Sequence, residues 1–573
     1  MGRGRIGRQA ARLVSGLALC LGLAGNAMAA DGVAGPYLAG RAAAAHFDYA
    51  AAAQYYTQAL ISEPGNPGFL ENALLSHVAT GNFDRAVPML DGLDRLGLKS
   101  QIATLLALAG AAIAADWDRG LARLDGGETA GPLVDGLYRA WALVGQGKMS
   151  DATAEFDKVS AQDGLKEFAL YHKALALASV GDFEGADAIL SGTAGGPLTM
   201  TRRGVIAHAQ VLSQLERAPD ALALVDGAFG QDPDPAIVAL RADLAAGKPL
   251  PFDVVATASD GVAEVLYTVA AALVQDNQDV YTLAYARLAY HVRPAHLDAI
   301  LLSAEILEAQ DQFDLASEAY NLIPQESPAF HVAEMGRADA LVQAGRTDAA
   351  IEALQQLAKA QPDLASVWSK LGDVLRQQER FVEAEAAYDK AIGTFETPQA
   401  GQWVVYYARG IAKERQKLWD PAVADFRKAL ELSPDQPHVL NYLGYGFLEQ
   451  KTNYDEALSM IEKAVAARPQ DGYIVDSLGW ALYRLGRYPE AVGPMEQAVE
   501  LMPVDPIVND HLGDVYWAVG RVLEAEFQWK RALSFEPETE AEATRIRRKL
   551  EVGLDAVLAE EGAAPLSVSE NGD

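Results

Sequence analysis

The chain has 573 residues, half of them apolar, with 78 acidic against 47 basic side chains, a formal net charge of −31 and one cysteine. That length exceeds what a single hydrophobic core organises, so several domains or a repeat array are expected, and the apolar content excludes a wholly disordered polymer. The acidic excess argues against nucleic acid as a partner, and a lone Cys rules out a disulfide framework or a thiolate metal cluster. In chain order, Arg3, Arg5, Arg8 and Arg12 precede an apolar run over 13–25, and Ala27-Met28-Ala29 puts small residues where a signal peptidase reads. This is the order and size of a secretory signal over 1–29, too short for a stable anchor. Export to the periplasm is expected, with no transmembrane span in the mature chain. Cys20 lies inside the apolar run, and Leu17-Ala18-Leu19-Cys20 has a Leu where a lipid-attachment site wants a small residue. Cleavage near Ala29 is therefore preferred to an outer-membrane lipoprotein carried on Cys20. The GxGxxG match at Gly2-Arg3-Gly4-Arg5-Ile6-Gly7 falls in the leader with no strand before it, and carries no weight.

Beyond the leader the chain repeats itself at a spacing near 34 residues. Early copies are degenerate: Ala39-Gly40, Ala52, Tyr56, Ala59 and Pro64, then Leu70, Gly81 and Ala86, then Ala140, Leu143, Gly147, Ala152 and Phe156. They fill 30–226. The stretch 227–261 is rich in Pro, Gly and Asp and reads as an irregular joint between two segments. Degenerate units resume over 262–328 with Ala304, Leu307, Ala316 and Tyr320. From 329 to 537 the units are well formed. Trp368, Leu371, Gly372 and Leu375 mark one helix face, and Ala384, Tyr388 and Ala391 a second. Small residues at Ala338, Gly372, Gly410, Gly444, Gly479 and Gly513 are separated by 34, 38, 34, 35 and 34 positions. They remove bulk where two antiparallel helices cross. Gly345, Gly486 and Gly520 close first helices, and Pro362, Pro434, Pro469, Pro503 and Pro537 end second ones. Ile546, Leu550, Leu554, Val557 and Leu558 form an apolar stripe over 538–561, read as a capping helix with Arg545, Arg547, Arg548 and Lys549 on its solvated faces. A disordered tail is expected over 562–573.

Through Leu478-Gly479-Trp480, Tyr483, Gly486, Ala491, Ala498 and Pro503 and their equivalents, the chain resembles the tetratricopeptide repeat family. The resemblance implies an all-α fold, a TPR α-solenoid of stacked antiparallel helix pairs forming a right-handed superhelix whose inner wall is lined by first helices. In that register Tyr473, Asp476, Trp480, Tyr483 and Arg484 point inward from one unit. His438, Asn441, Tyr445 and Glu449 do so from the unit before, and Asp510, Asp514 and Trp517 from the unit after. The expected partner-binding strip is Tyr445, Tyr473, Asp476, Trp480, Tyr483, Arg484, Asp510, Asp514 and Trp517, aromatic and acidic, with carboxylates available to a ligand's Lys or Arg. For Trp480 and Trp517 the competing expectation is packing between adjacent repeats. The Lys, Asn and Arg clamp by which some family members hold a partner's C-terminal carboxylate is absent, since Asp373, Tyr407, Ile411 and Tyr442 stand at its positions.

No HExxH, GxSxG or Walker A motif is present, and the nine His are scattered. His291 and His296, five apart at an expected helix end, have poor metal spacing and are read as structural. No catalysis, metal or cofactor is expected, and 227–261 is too short to hide a catalytic core. The exported array and the run 478–487, Leu-Gly-Trp-Ala-Leu-Tyr-Arg-Leu-Gly-Arg, look like the envelope lipoprotein adaptor that partners a carboxy-terminal processing protease. The resemblance implies a scaffold that gathers that protease and its peptidoglycan-hydrolase substrates. The alternative is an assembly scaffold for a secretion or polysaccharide-export machine, holding a basic segment in an acidic groove.

Overall fold

The computed structural model describes residues 33–230, 234–275, 279–563 and 566. The expected signal over 1–29, Cys20 and most of the tail over 562–573 lie outside them. Among the described residues there are 31 α-helices and no strand, and no helix is long and apolar enough to cross a membrane. The fold is all-α, antiparallel helix pairs stacked in sequence. Two compact units divide at Ala350 and Ile351, inside helix Thr347–Ala360, and the stretch 227–261 lies within the first of them.

The small-residue ladder works as its spacing demands. An added Cβ would stand 2.5 Å from Tyr388 at Gly372, 2.6 Å from Phe426 at Gly410, 2.6 Å from Met495 at Gly479 and 2.4 Å from Trp529 at Gly513. Each large partner lies 16 residues on, in the second helix of the same pair. The absent side chain lets a bulky one fill the crossing, which close packing requires. Seven residues past each small site the chain turns through the left-handed region. Gly345, Gly486 and Gly520 do so as expected, but Glu379, Lys417 and Lys451 hold the same positions with φ of 56° to 65°. The turn is dictated by packing on either side of it, so glycine is favoured there without being required.

In the C-terminal unit the pairs follow one another as a row. Ala365–Gln377 packs with Phe381–Gly393, Trp403–Arg415 with Trp419–Leu432, Pro437–Glu449 with Tyr454–Ala467, Gly472–Arg484 with Tyr488–Leu501, and Pro506–Ala518 with Val522–Ser534. First helices also touch the next first helix, while no two second helices pack comparably among the described residues. The unit therefore bends toward its first helices. The expected single cap over 538–561 is two helices, Glu540–Val552 and Leu554–Glu560, hinged at Gly553 with φ 85°. Ile546, Leu554 and Val557 are buried as the stripe requires. Lys549, expected on a solvated face, is also buried, because two carboxylates of the last pair receive it.

The N-terminal unit opens the same way, with first helices Pro67–Ala79, Gln101–Ile113, Pro132–Gly145 and Lys166–Ser179 side by side. After Arg202–Gln214 and Ala218–Phe229 the regularity ends. A short helix, Pro235–Ala245, is followed by a segment without helix over 248–256 that lies along Arg202–Gln214. Ser213 there accepts from the Leu250 amide at 2.8 Å, and Gln210 donates to Asp253 at 2.6 Å. The chain then forms an inner helix pair, Ala258–Leu273 with Val280–Val292, which does not extend the row. Ala258–Leu273 packs on Gln101–Ile113, Pro132–Gly145 and Lys166–Ser179, and Val280–Val292 on Pro67–Ala79 and Gln101–Ile113. The helices involved have almost no polar face. Ile102 to Ala109 is buried without interruption, as is Thr282 to Tyr290, the mark of helices covered on every side.

Candidate functional site

The first helices of the C-terminal unit carry every residue of the expected strip, and the structure separates the residues into three groups. Tyr445, Trp480 and Tyr473 remain at least partly exposed, Tyr473 at 48% with its hydroxyl 3.4 Å from Asp505. Trp480 stacks on Tyr483 at 4.8 Å and on His511 of the next first helix at 4.0 Å, the planes within 16° of parallel. It thus packs between adjacent repeats, as the competing expectation has it, and stays partly exposed. Tyr483 is buried beneath it.

The acidic members are already partnered. Asp476 is buried and bonds Nδ1 of His511 through both oxygens at 3.1 Å. Burial alone would lower the His511 pKa, but Asp476, with Asp510 and Asp514 nearby, raises it above the ordinary value. Asp510 and Asp514 both accept from Lys549 Nζ, at 2.8 Å and 2.6 Å. Asp514 also accepts from the Trp529 indole at 2.9 Å, and burial pushes its carboxyl up despite Lys549. Arg484 donates to Glu449 at 3.3 Å, one repeat earlier. Trp517 donates to Asp555 at 2.9 Å and covers Gly553. The expectation that these carboxylates await a ligand's Lys or Arg is therefore corrected for Asp476, Asp510 and Asp514. They tie one repeat to the next and the last repeat to its cap, because a buried carboxylate without a donor is costly.

What remains for a ligand is aromatic in character. Tyr407 and Tyr442 meet edge to face at 5.9 Å across two first helices, and the Tyr442 hydroxyl donates to Glu414 at 3.0 Å. Tyr445 follows one turn on from Asn441, and burial raises its hydroxyl pKa. Asn441 Oδ1 is shielded from solvent and lacks a hydrogen-bond partner among the described residues. Sequence reasoning missed His511 and Lys549. The signal for both was spacing, since each stands 35 residues, about one repeat, after the carboxylate it serves.

The comparisons agree with this construction. A tetratricopeptide repeat model matches residues 37–97, 335–400, 407–472, 448–506 and 477–537. A TPR repeat-containing protein of Pseudomonas aeruginosa is 30% identical over 182 residues, covering 31% of this chain and 30% of that protein's length. Among solved structures, the Cut9–Hcn1 hetero-tetramer of APC/C is 15% identical, covering 91% of this chain and 96% of that one with a TM-score of 0.38. Yeast Tom70 is also 15% identical, covering 92% and 98% with a TM-score of 0.30. The repeats over 37–97, 335–400 and 407–537 are tetratricopeptide repeats.

Proposed function

We propose that this protein is a non-catalytic scaffold of the bacterial periplasm that docks other proteins along the first-helix wall of its C-terminal unit. The observation that carries the reading is the contrast within that wall: its carboxylates are consumed in repeat-to-repeat pairs, while Tyr442, Tyr445 and Trp480 stay partly exposed. Rigid rings with polar edges are what an interface centre uses. The arginine-rich apolar leader supports export. The run 478–487 supports the narrower form, an adaptor that brings a carboxy-terminal processing protease to peptidoglycan hydrolases.

Affinity capture from periplasm with the full chain tests both levels. Recovery of an envelope protease together with a wall hydrolase, lost on Trp480→Ala and Tyr445→Ala, is the expected result. Recovery of neither enzyme removes the adaptor reading. Capture that is indifferent to both substitutions removes the wall itself.

A further inference from the structure

The first-helix wall left open in the C-terminal unit is covered in the N-terminal unit, and the cover belongs to the same chain. The surface beneath Ala258–Leu273 and Val280–Val292 is shaped for helices. Gly261 sits where an added Cβ would come 2.2 Å from the Trp141 ring. A cavity along the contact measures about 10 Å³, lined by Leu105, Leu108, Val134, Val262 and Leu266, too little for more than one water.

Two full charges enter this interface, Arg287 and Glu264, and the second gathers more partners. Glu264, 1% exposed, projects from the inner pair and receives four donors from three other helices. Tyr171 donates at 2.9 Å from Lys166–Ser179. Arg203 of Arg202–Gln214 donates through Nε at 3.0 Å and Nη2 at 2.8 Å. His296, which caps Leu297–Ala309 by accepting the Ala299 amide on Nδ1, leaves Nε2 to donate at 3.2 Å. The same cluster grips both ends of the inner pair. The Val254 carbonyl, just before the pair, accepts from Arg203 at 3.4 Å and from Arg293, just after it, at 2.5 Å. Entry, exit and anchor of the pair are thus fastened at one place.

We propose that the inner pair is a tethered occupant of a helix-binding wall, latched by the Glu264 carboxylate and able to lift as one unit. The N-terminal unit then holds a second, self-blocked docking surface, whose matching partner is a pair of largely apolar helices with an acidic anchor. Elsewhere the pair is held by apolar packing in the unit's core and by single polar bonds, such as Ser259 to the Ala112 carbonyl at 2.7 Å and Arg287 to the Ala79 carbonyl at 3.2 Å. Removing the anchor charge therefore weakens the grip where it is concentrated.

Hydrogen exchange on the full chain bearing Glu264→Gln tests the latch. Exchange is expected to rise at least tenfold within 258–273 and 280–292 and along 101–113, while the outer helix Met149–Ser160 keeps its wild-type rate. Unchanged exchange, or equal acceleration through the whole unit, overturns the proposal. Should Glu264→Gln not fold, Tyr171→Phe removes one donor of four and is expected to give the same local pattern about threefold; a flat or uniform response overturns it equally. A labelled synthetic peptide covering 258–292 is expected to bind the Glu264→Gln chain at least tenfold more tightly than wild type, because Arg203 and His296 there lack a carboxylate. Equal binding, or none, overturns the docking half.

Discussion

The two units are made from the same helix pair and differ in what lies against their first helices. In the C-terminal unit each pair meets its neighbours, so stability is close to a sum of local terms. In the N-terminal unit the inner pair joins distant parts of the chain. Arg287 bonds Ala79 across 208 positions, and Tyr285 bonds Ala130 across 155. Such ties couple repeats that a row leaves independent. The contrast teaches that one repeat motif yields an additive row or a cooperative block according to whether its inner wall is filled.

The largest expected effect lies at the end of the row. Lys549→Met leaves the buried Asp514 and the half-buried Asp510 with only the more distant Arg545 for a cation, at 3.8 Å and 4.0 Å, which should cost about 3–5 kcal/mol. In an additive row the damage stays local: exchange should accelerate over 506–560 and leave 365–449 unchanged. Acceleration through the whole C-terminal unit would show that it too is a block.

Acid should separate the units next. His172 is buried, accepts from Trp141 at 3.3 Å, and burial pushes its pKa down to about 4. A histidine with a lowered folded-state pKa contributes stability that is whole above its unfolded value near 6.5 and is lost as pH falls toward 4. The loss is on the order of 3 kcal/mol. For Glu264 burial favours the protonated form, yet Arg203 and His296 hold the carboxyl well below the usual range. Its contribution also fades on acidification, but only at still lower pH. Exchange protection of the N-terminal unit should therefore fall between pH 6.5 and 4, and His172→Gln should flatten that slope.

Two glycines sharpen the comparison at smaller cost. Gly261→Ala drives a methyl into the fully buried Trp141 ring, which has nowhere to move, and about 2–3 kcal/mol is expected, with the loss shared by the inner pair and the first helices it covers. Gly479→Ala meets the flexible Met495 side chain instead, and about 1 kcal/mol is expected, felt only by its own pair. Thermal unfolding with exchange mapping reads both. Equal costs would mean that filling the wall adds no rigidity.

Much of this was legible in the chain. Gly372, Gly410, Gly479 and Gly513 declared the helix crossings because a missing side chain matters only where something large takes its place, and Tyr388, Phe426, Met495 and Trp529 recur at a constant offset. The inner pair was not legible as such, since local periodicity says which face of a helix is apolar and nothing about which distant helix covers it. Its trace was composition: Gln101–Ile113 and Val280–Val292 lack the polar face of a helix in an open row. The site was half legible. Trp480 and Tyr445 stand where the register put them, but Asp476, Asp510 and Asp514 were read as available because their partners, His511 and Lys549, lie a repeat away. Counting carboxylates on a wall without counting the cations that reach it from the next repeat overstates its charge.

The smallest effect carries the most diagnostic sign. His511 has a raised pKa, so its contribution is whole below the unfolded value near 6.5 and disappears as pH rises through the folded one. Asp514, pushed up chiefly by burial, acts in the same direction. Glu383, Glu490 and Glu524, held low by Arg380, Arg487 and Arg521, act oppositely, but they sit in solvent where such pairs contribute little. Protection over 472–518 should therefore decline as pH rises past 6.5, a range in which the N-terminal unit holds steady. His511→Gln should abolish the decline. Trp480→Ala, which strips the ring from the imidazole, should shrink it and cost about 1 kcal/mol. A rise in protection over that range would mean that Asp476 does not hold a proton on His511, and the tie between the last two first helices would then be stacking alone.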